Sequence, residues 1–221
     1  MTSPRILGIL AVFTACSAAP AKTPSQAGGR QPVASGPHFP DAKAERVRSR
    51  SLDFPVELML PEKARWRITD GPSWLEAEQL ESSSRFAWRT WRAERLVRRS
   101  DCAAQARLVR PTIPSASDES VVDQRPFAAP PGFDSELVVG VEPTKLGVSG
   151  YAIVFGASVG YCYAAVFTTT ASGAGAEQEV ATRLGVAVDR VLSSVRTRSI
   201  DERAVRRRLV VTPKAAGEEP K

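Results

Sequence analysis

The densest chemistry in this chain lies between Arg85 and Arg110. Arg85, Arg89, Arg92, Arg95, Arg98, Arg99, Arg107 and Arg110 stand there against only Glu94 and Asp101. Phe86, Trp88 and Trp91 interleave with the first of them. Guanidinium groups take carboxylates and phosphates in a forked geometry, and indole rings stack on sugars or other flat groups. Arg85, Arg89, Trp91, Arg92, Arg95, Arg98 and Arg99 therefore form a candidate binding band. The same pattern also describes a strand with core aromatics and rim arginines. Glu76 and Glu78 would share one strand face. A glycosidase pair could be built that way, but the pattern reads first as a solvated charged face. The three cysteines are Cys16, Cys102 and Cys162. In an oxidising compartment Cys102 and Cys162 are the expected disulfide pair, closing a loop of about 60 residues.

One motif has the form of a catalytic site. Gly156-Ala157-Ser158-Val159-Gly160 resembles the nucleophile elbow of α/β-hydrolases, G-x-S-x-G. That elbow needs a strand before it, a helix after it and a later histidine. Strands are expected on both sides of Ser158, and the one histidine, His38, lies far upstream. The glycines read instead as a tight hairpin, and no catalytic residue is assigned. Without a histidine between Asp41 and Ile200, imidazole acid–base chemistry and the usual zinc sites are excluded there. No phosphate loop or nucleotide fingerprint is present, so neither metal nor cofactor is expected.

The N-terminus reads as an address. Arg5 precedes an apolar run, Ile6 to Ala15, which suits a secretory signal and is too short for a membrane span. The run ends Phe13-Thr14-Ala15-Cys16, which resembles the lipobox of bacterial lipoprotein precursors. Thr14, Ala15 and Cys16 fit that pattern; Phe13 replaces the preferred Leu. The resemblance implies a signal peptide over 1–15 and lipidation of Cys16. Ser17, rather than Asp, follows the cysteine, which by the same resemblance implies the outer membrane. The alternative is an ordinary signal cut after Ala21, giving a soluble periplasmic or secreted protein. Residues 16–40 are rich in Pro, Gly, Ala, Ser and Gln and read as a flexible tether.

Strands and helices on either side of these groups can be read from the rest of the chain. Residues 41–200 form one domain, long enough for a proper core, and 201–221 a charged tail. The net charge is +6, but Ser51 to Ile200 is nearly balanced, and the basic excess sits in the flanks. Leu52–Pro61 alternates as a strand, and Pro55 points to an edge or a bulge. Arg65–Thr69, Trp74–Gln79 and Arg85–Val97 follow as strands, then a short helix from Cys102 to Val109. Thr112–Asp134 reads as a long surface loop with one extended piece near Val121. Leu137–Val141, Val148–Ala157 and Tyr161–Thr170 are β-rich runs with short turns, hence an antiparallel meander. In the third run Cys162, Ala164 and Val166 point one way, and Tyr161, Tyr163 and Phe167 the other. Both sets are apolar or aromatic, so each face must be covered. From Glu177 to Arg196, Val180, Leu184, Val188, Val191 and Val195 make one helical stripe that covers one face.

The fold class is therefore α+β: an antiparallel sheet with a C-terminal three-stranded meander, covered by a long C-terminal helix and a short middle helix. The layout resembles the PsbP/Mog1-type α/β/α sandwich. The first functional expectation is a lipid-anchored, non-catalytic module that binds an envelope protein or serves envelope assembly. The alternative is recognition of anionic glycan or lipid headgroups through the Arg band. A hydrolase without a recognisable motif ranks third. An exported chain does not meet nucleic acid.

Overall fold

The computed structural model describes residues 43–93, 96–117 and 119–197. Cys16, His38 and Arg95, the expected signal and tether, and the tail lie outside the described residues. In chain order the strands are β1 (Ala44–Arg48), β2 (Val56–Pro61), β3 (Arg67–Asp70), β4 (Leu75–Gln79) and β5 (Ser84–Arg92). Helix α1 (Arg99–Val109) follows. Next come β6 (Val121–Phe127), β7 (Asp134–Thr144), β8 (Gly147–Ser158) and β9 (Tyr161–Ala171). Helix α2 (Ala176–Val186) runs on through a π turn and a 3-10 turn to Ser194, and β10 (Arg196–Thr197) closes the fold.

Seven strands form one antiparallel sheet in the order β3-β4-β5-β9-β8-β7-β6, and β1, β2 and β10 form a second small sheet. The meander β7-β8-β9 is the expected one. The structure adds that β9 pairs with β5, so Trp91 lies opposite Cys162 and the two halves of the chain share one sheet. Both faces are covered, as the third run requires. On one face Phe86, Trp88, Tyr163, Ala165 and Phe167 pack under α2 and the small sheet. On the other, Ala87, Trp91, Cys162, Ala164 and Val166 pack under α1 and the segment around Ile113. The stripe Val180, Leu184, Val188, Val191 and Val195 is buried throughout. Val188 and Val191 lie within the π turn at 187–191 and both are buried.

The extended piece expected near Val121 is a full edge strand, Val121–Phe127; its sequence VVDQRPF lacks clean alternation because an edge strand is mostly wet. Two expectations are corrected. Strand β5 ends at Arg92, not Val97. Strand β2 is the centre of its small sheet, and Pro55 avoids the missing-donor conflict by standing just before it.

Candidate binding cleft

Helix α1 starts against its own dipole. Arg98 and Arg99 stand at its positive end, where an acidic residue is normally favoured. Asp101 offsets part of this by accepting the Arg98 backbone N–H at 2.9 Å. The helix is fixed to the sheet at several points. Cys102 and Cys162 stand at disulfide distance with their Cα atoms 5.4 Å apart. The Trp91 indole N–H donates to Gln105 Oε1 at 2.7 Å, and Arg110 pairs with Glu76. These contacts lay α1 over β8 and β9, leaving a furrow beside it above β7.

That furrow is an open cleft of about 1000 Å³. Its α1 wall is Ser100, Ala103, Ala104 and Arg107, the three-and-four spacing of one helical face. Its floor is Val138 of β7 with Ile153, Phe155 and Ala157 of β8. The Arg107 guanidinium lies over the Phe155 ring, 4.9 Å from its centre. At the other end Arg99 reaches Asp134 at 3.1 Å and Glu136 at 3.4 Å. Leu96 and Val159 stand on the rim, 78% and 77% exposed. The cleft thus combines an apolar base, a neutralised arginine, and two arginines, Arg98 and Arg107, that have no acidic partner among the described residues.

The sequence-derived band is divided between several places. Alternation along β5 puts Arg85, Arg89 and Trp91 on the α1 face and Arg92 on the other. Arg85 donates to Glu78 at 2.6 Å, and Arg67 donates to the same carboxylate at 2.6 Å. The bonds from Arg85 and Arg67 hold the Glu78 carboxyl below its ordinary range, and its bond in turn raises Arg85. Arg89 lies between the rings of Trp91 and Trp74, 5.1 Å and 5.9 Å from their centres. Burial lowers its pKa, and its Nη1 has no hydrogen-bond partner among the described residues. Trp91 is itself buried. Arg92 stacks on Tyr161 at 5.7 Å. Of the described band, only Arg98 and Arg99 reach the cleft.

Arg107 belongs to the arginine-dense stretch but not to the expected band, and Asp134, Glu136, Val138, Ile153 and Phe155 carried no expected role in a site. They come from three elements, and only the Ser100–Ala104–Arg107 periodicity was available to mark one wall. Ser158 lines the cleft where β8 ends. A two-residue turn follows, with Gly160 at φ 70° and Ser158 paired with Tyr161. A strand therefore follows this serine where the hydrolase elbow has a helix. Glu76 and Glu78 are both ion-paired, so the two carboxylates form part of an arginine lattice. Among the described residues no group of three or more His, Cys, Asp or Glu side chains could hold a metal ion, and no helix is long and apolar enough to cross a membrane.

Neither a family model nor a curated protein matches the chain. Among solved structures it is similar to a crystal structure from Bacteroides thetaiotaomicron VPI-5482, at 12% identity and a TM-score of 0.36. The match covers 66% of this chain and 46% of that one, so the chain spans about half the neighbour's length.

Proposed function

We propose that this chain is an exported, lipid-anchored, non-catalytic module that binds a protein partner in the cleft beside α1. The observation that supports this most is the mixed lining: an apolar floor and rim, the arginines Arg98 and Arg107 without an acidic partner among the described residues, and the carboxylates of Asp134 and Glu136 paired with Arg99. Apolar contact with both signs of charge close by matches a protein surface. A uniformly anionic ligand would meet those two carboxylates. Recognition of anionic glycan or lipid headgroups by the Arg band has less support, because Arg85 and Arg99 are ion-paired and Arg89 lies between the rings of Trp91 and Trp74. The anchor is Cys16, on the lipobox resemblance alone.

The test is a crosslinked pull-down from intact envelopes at low and high salt, read by quantitative mass spectrometry. The reading expects one salt-resistant partner near equal amount, lost in an Arg98→Glu, Val159→Asp variant. Recovery of glycan or lipid alone, lost at high salt, would overturn it in favour of the alternative. Independently, Cys16→Ala should move the protein into the soluble periplasmic fraction; unchanged membrane retention would refute the anchor.

A further inference from the structure

We infer that the occupant of the cleft is one amphipathic helix of the partner, laid alongside α1 with acidic residues facing Arg98 and Arg107. This rests on the protein-binding reading above. Backbone chemistry separates a helix from an extended segment. Strand β7, beneath the cleft, is paired on both sides, with β6 and with β8. An extended peptide lying there would find no free strand edge, and its own N–H and C=O groups would stay unpaired. A helix satisfies its backbone internally and needs only side-chain contacts.

The wall has the shape for it. Ser100, Ala103 and Ala104 are small, so a second helix axis can come close to α1 before reaching Arg107. The layering agrees. The opposite face of the sheet is covered by α2 and a small sheet, whereas the α1 face has one eleven-residue helix and leaves Val138 partly open. A helix from outside would lie on Val138, Val97, Leu96 and Val159.

Charge sets the direction of the contact. Arg98, at the extended N-cap, and Arg107, in the last turn, both line the cleft toward the two ends of α1. The partner segment should therefore carry an acidic residue toward each end, with apolar residues between them at steps of three and four.

The experiment places the photo-crosslinking residue p-benzoylphenylalanine at Ala104, and separately at Val159, in the full chain made in its own cells. Adduct sites on the partner are mapped by peptide sequencing. The inference expects sites spaced three, four and seven apart on one segment with the acidic pair. A synthetic fluorescent peptide of that segment should then bind the purified full chain and gain helical circular dichroism. Arg98→Glu and Arg107→Glu should each weaken binding about tenfold, and exchanging the facing acid for lysine should restore it. Arg98 is exposed, so its variant reads binding free of any packing loss at Arg107. Adducts at every second residue would overturn the helix and leave the protein-binding reading standing. No protein adduct at either position would overturn both.

Discussion

Gly150 of β8 lies directly beneath Val180 of α2. A β-carbon at position 150 would fall 2.4 Å from Val180 Cγ1 and 3.0 Å from Leu184 Cδ1. The helix thus reaches the sheet where a side chain is missing, and that approach lets both Val180 and Leu184 bury. Gly150→Ala should cost about 1–3 kcal/mol by overpacking. Chemical denaturation would measure it. Combining it with Val180→Ala should recover part of the loss, because the clashing methyl is then gone; strict additivity of the two costs would contradict this packing.

That contact also shows what was legible in the sequence and what was not. The stripe Val180, Leu184, Val188, Val191 and Val195 announces a buried helical face, and the apolar residues on both sides of β9 announce that the sheet is covered twice. Nothing in GVSGYAIVFGAS marks Gly150 as the seat of α2, since glycine serves turns and close approaches alike. Strand β1 carries one buried residue, Val47, and is held by pairing with β2, a long-range fact that local pattern does not carry. The cleft was harder still. Arginine density drew attention to Arg85 and Arg92, yet alternation along β5 sends these two to opposite faces. Arg107, Asp134 and Phe155 meet only through the fold.

Arg183 is a buried cation with a structural task. Its Nη1 donates to the Ser82 carbonyl at 2.7 Å, the Thr170 carbonyl at 2.9 Å and Thr169 Oγ1 at 3.0 Å. Its Nη2 pairs with Glu179. Burial lowers its pKa, and Glu179 opposes that. Arg183→Met keeps the aliphatic stem and removes the donors, leaving acceptors in a buried site. A loss of about 3 kcal/mol in urea unfolding is expected. A loss within about 0.5 kcal/mol, the size of an ordinary surface change, would show that the network is not needed to seat α2.

Glu78 gives a pH dependence of known sign. The hydrogen bonds from Arg85 and Arg67 lower its folded pKa below the ordinary value of 4.5. Its contribution is therefore present above that value and is lost as the pH falls through the lowered one. Wild type should melt above Glu78→Gln at pH 7, and the gap should close progressively below pH 4.5. A gap that stayed constant down to pH 2 would mean the carboxylate is not held ionised by its two arginines.

The link between Cys102 and Cys162 bears on both stability and the cleft. It joins α1 to β9 across a sequence separation of 60. Closing a loop of that size restricts the unfolded chain by roughly 4 kcal/mol on the chain-entropy argument. Alkylation without reductant should find neither thiol, and two alkylated cysteines would refute the bridge. The double variant Cys102→Ala, Cys162→Ala should lose up to about 4 kcal/mol. Because that effect acts on the unfolded state, the folded arrangement of α1 should survive it. Trp91 with Gln105 and Arg110 with Glu76 still tie the helix to the sheet. Amide hydrogen exchange separates the two roles. If the bridge acts mainly on the unfolded chain, protection in α1 should fall no further than protection in β8. If α1 alone loses protection, the bridge is what holds the cleft wall in place.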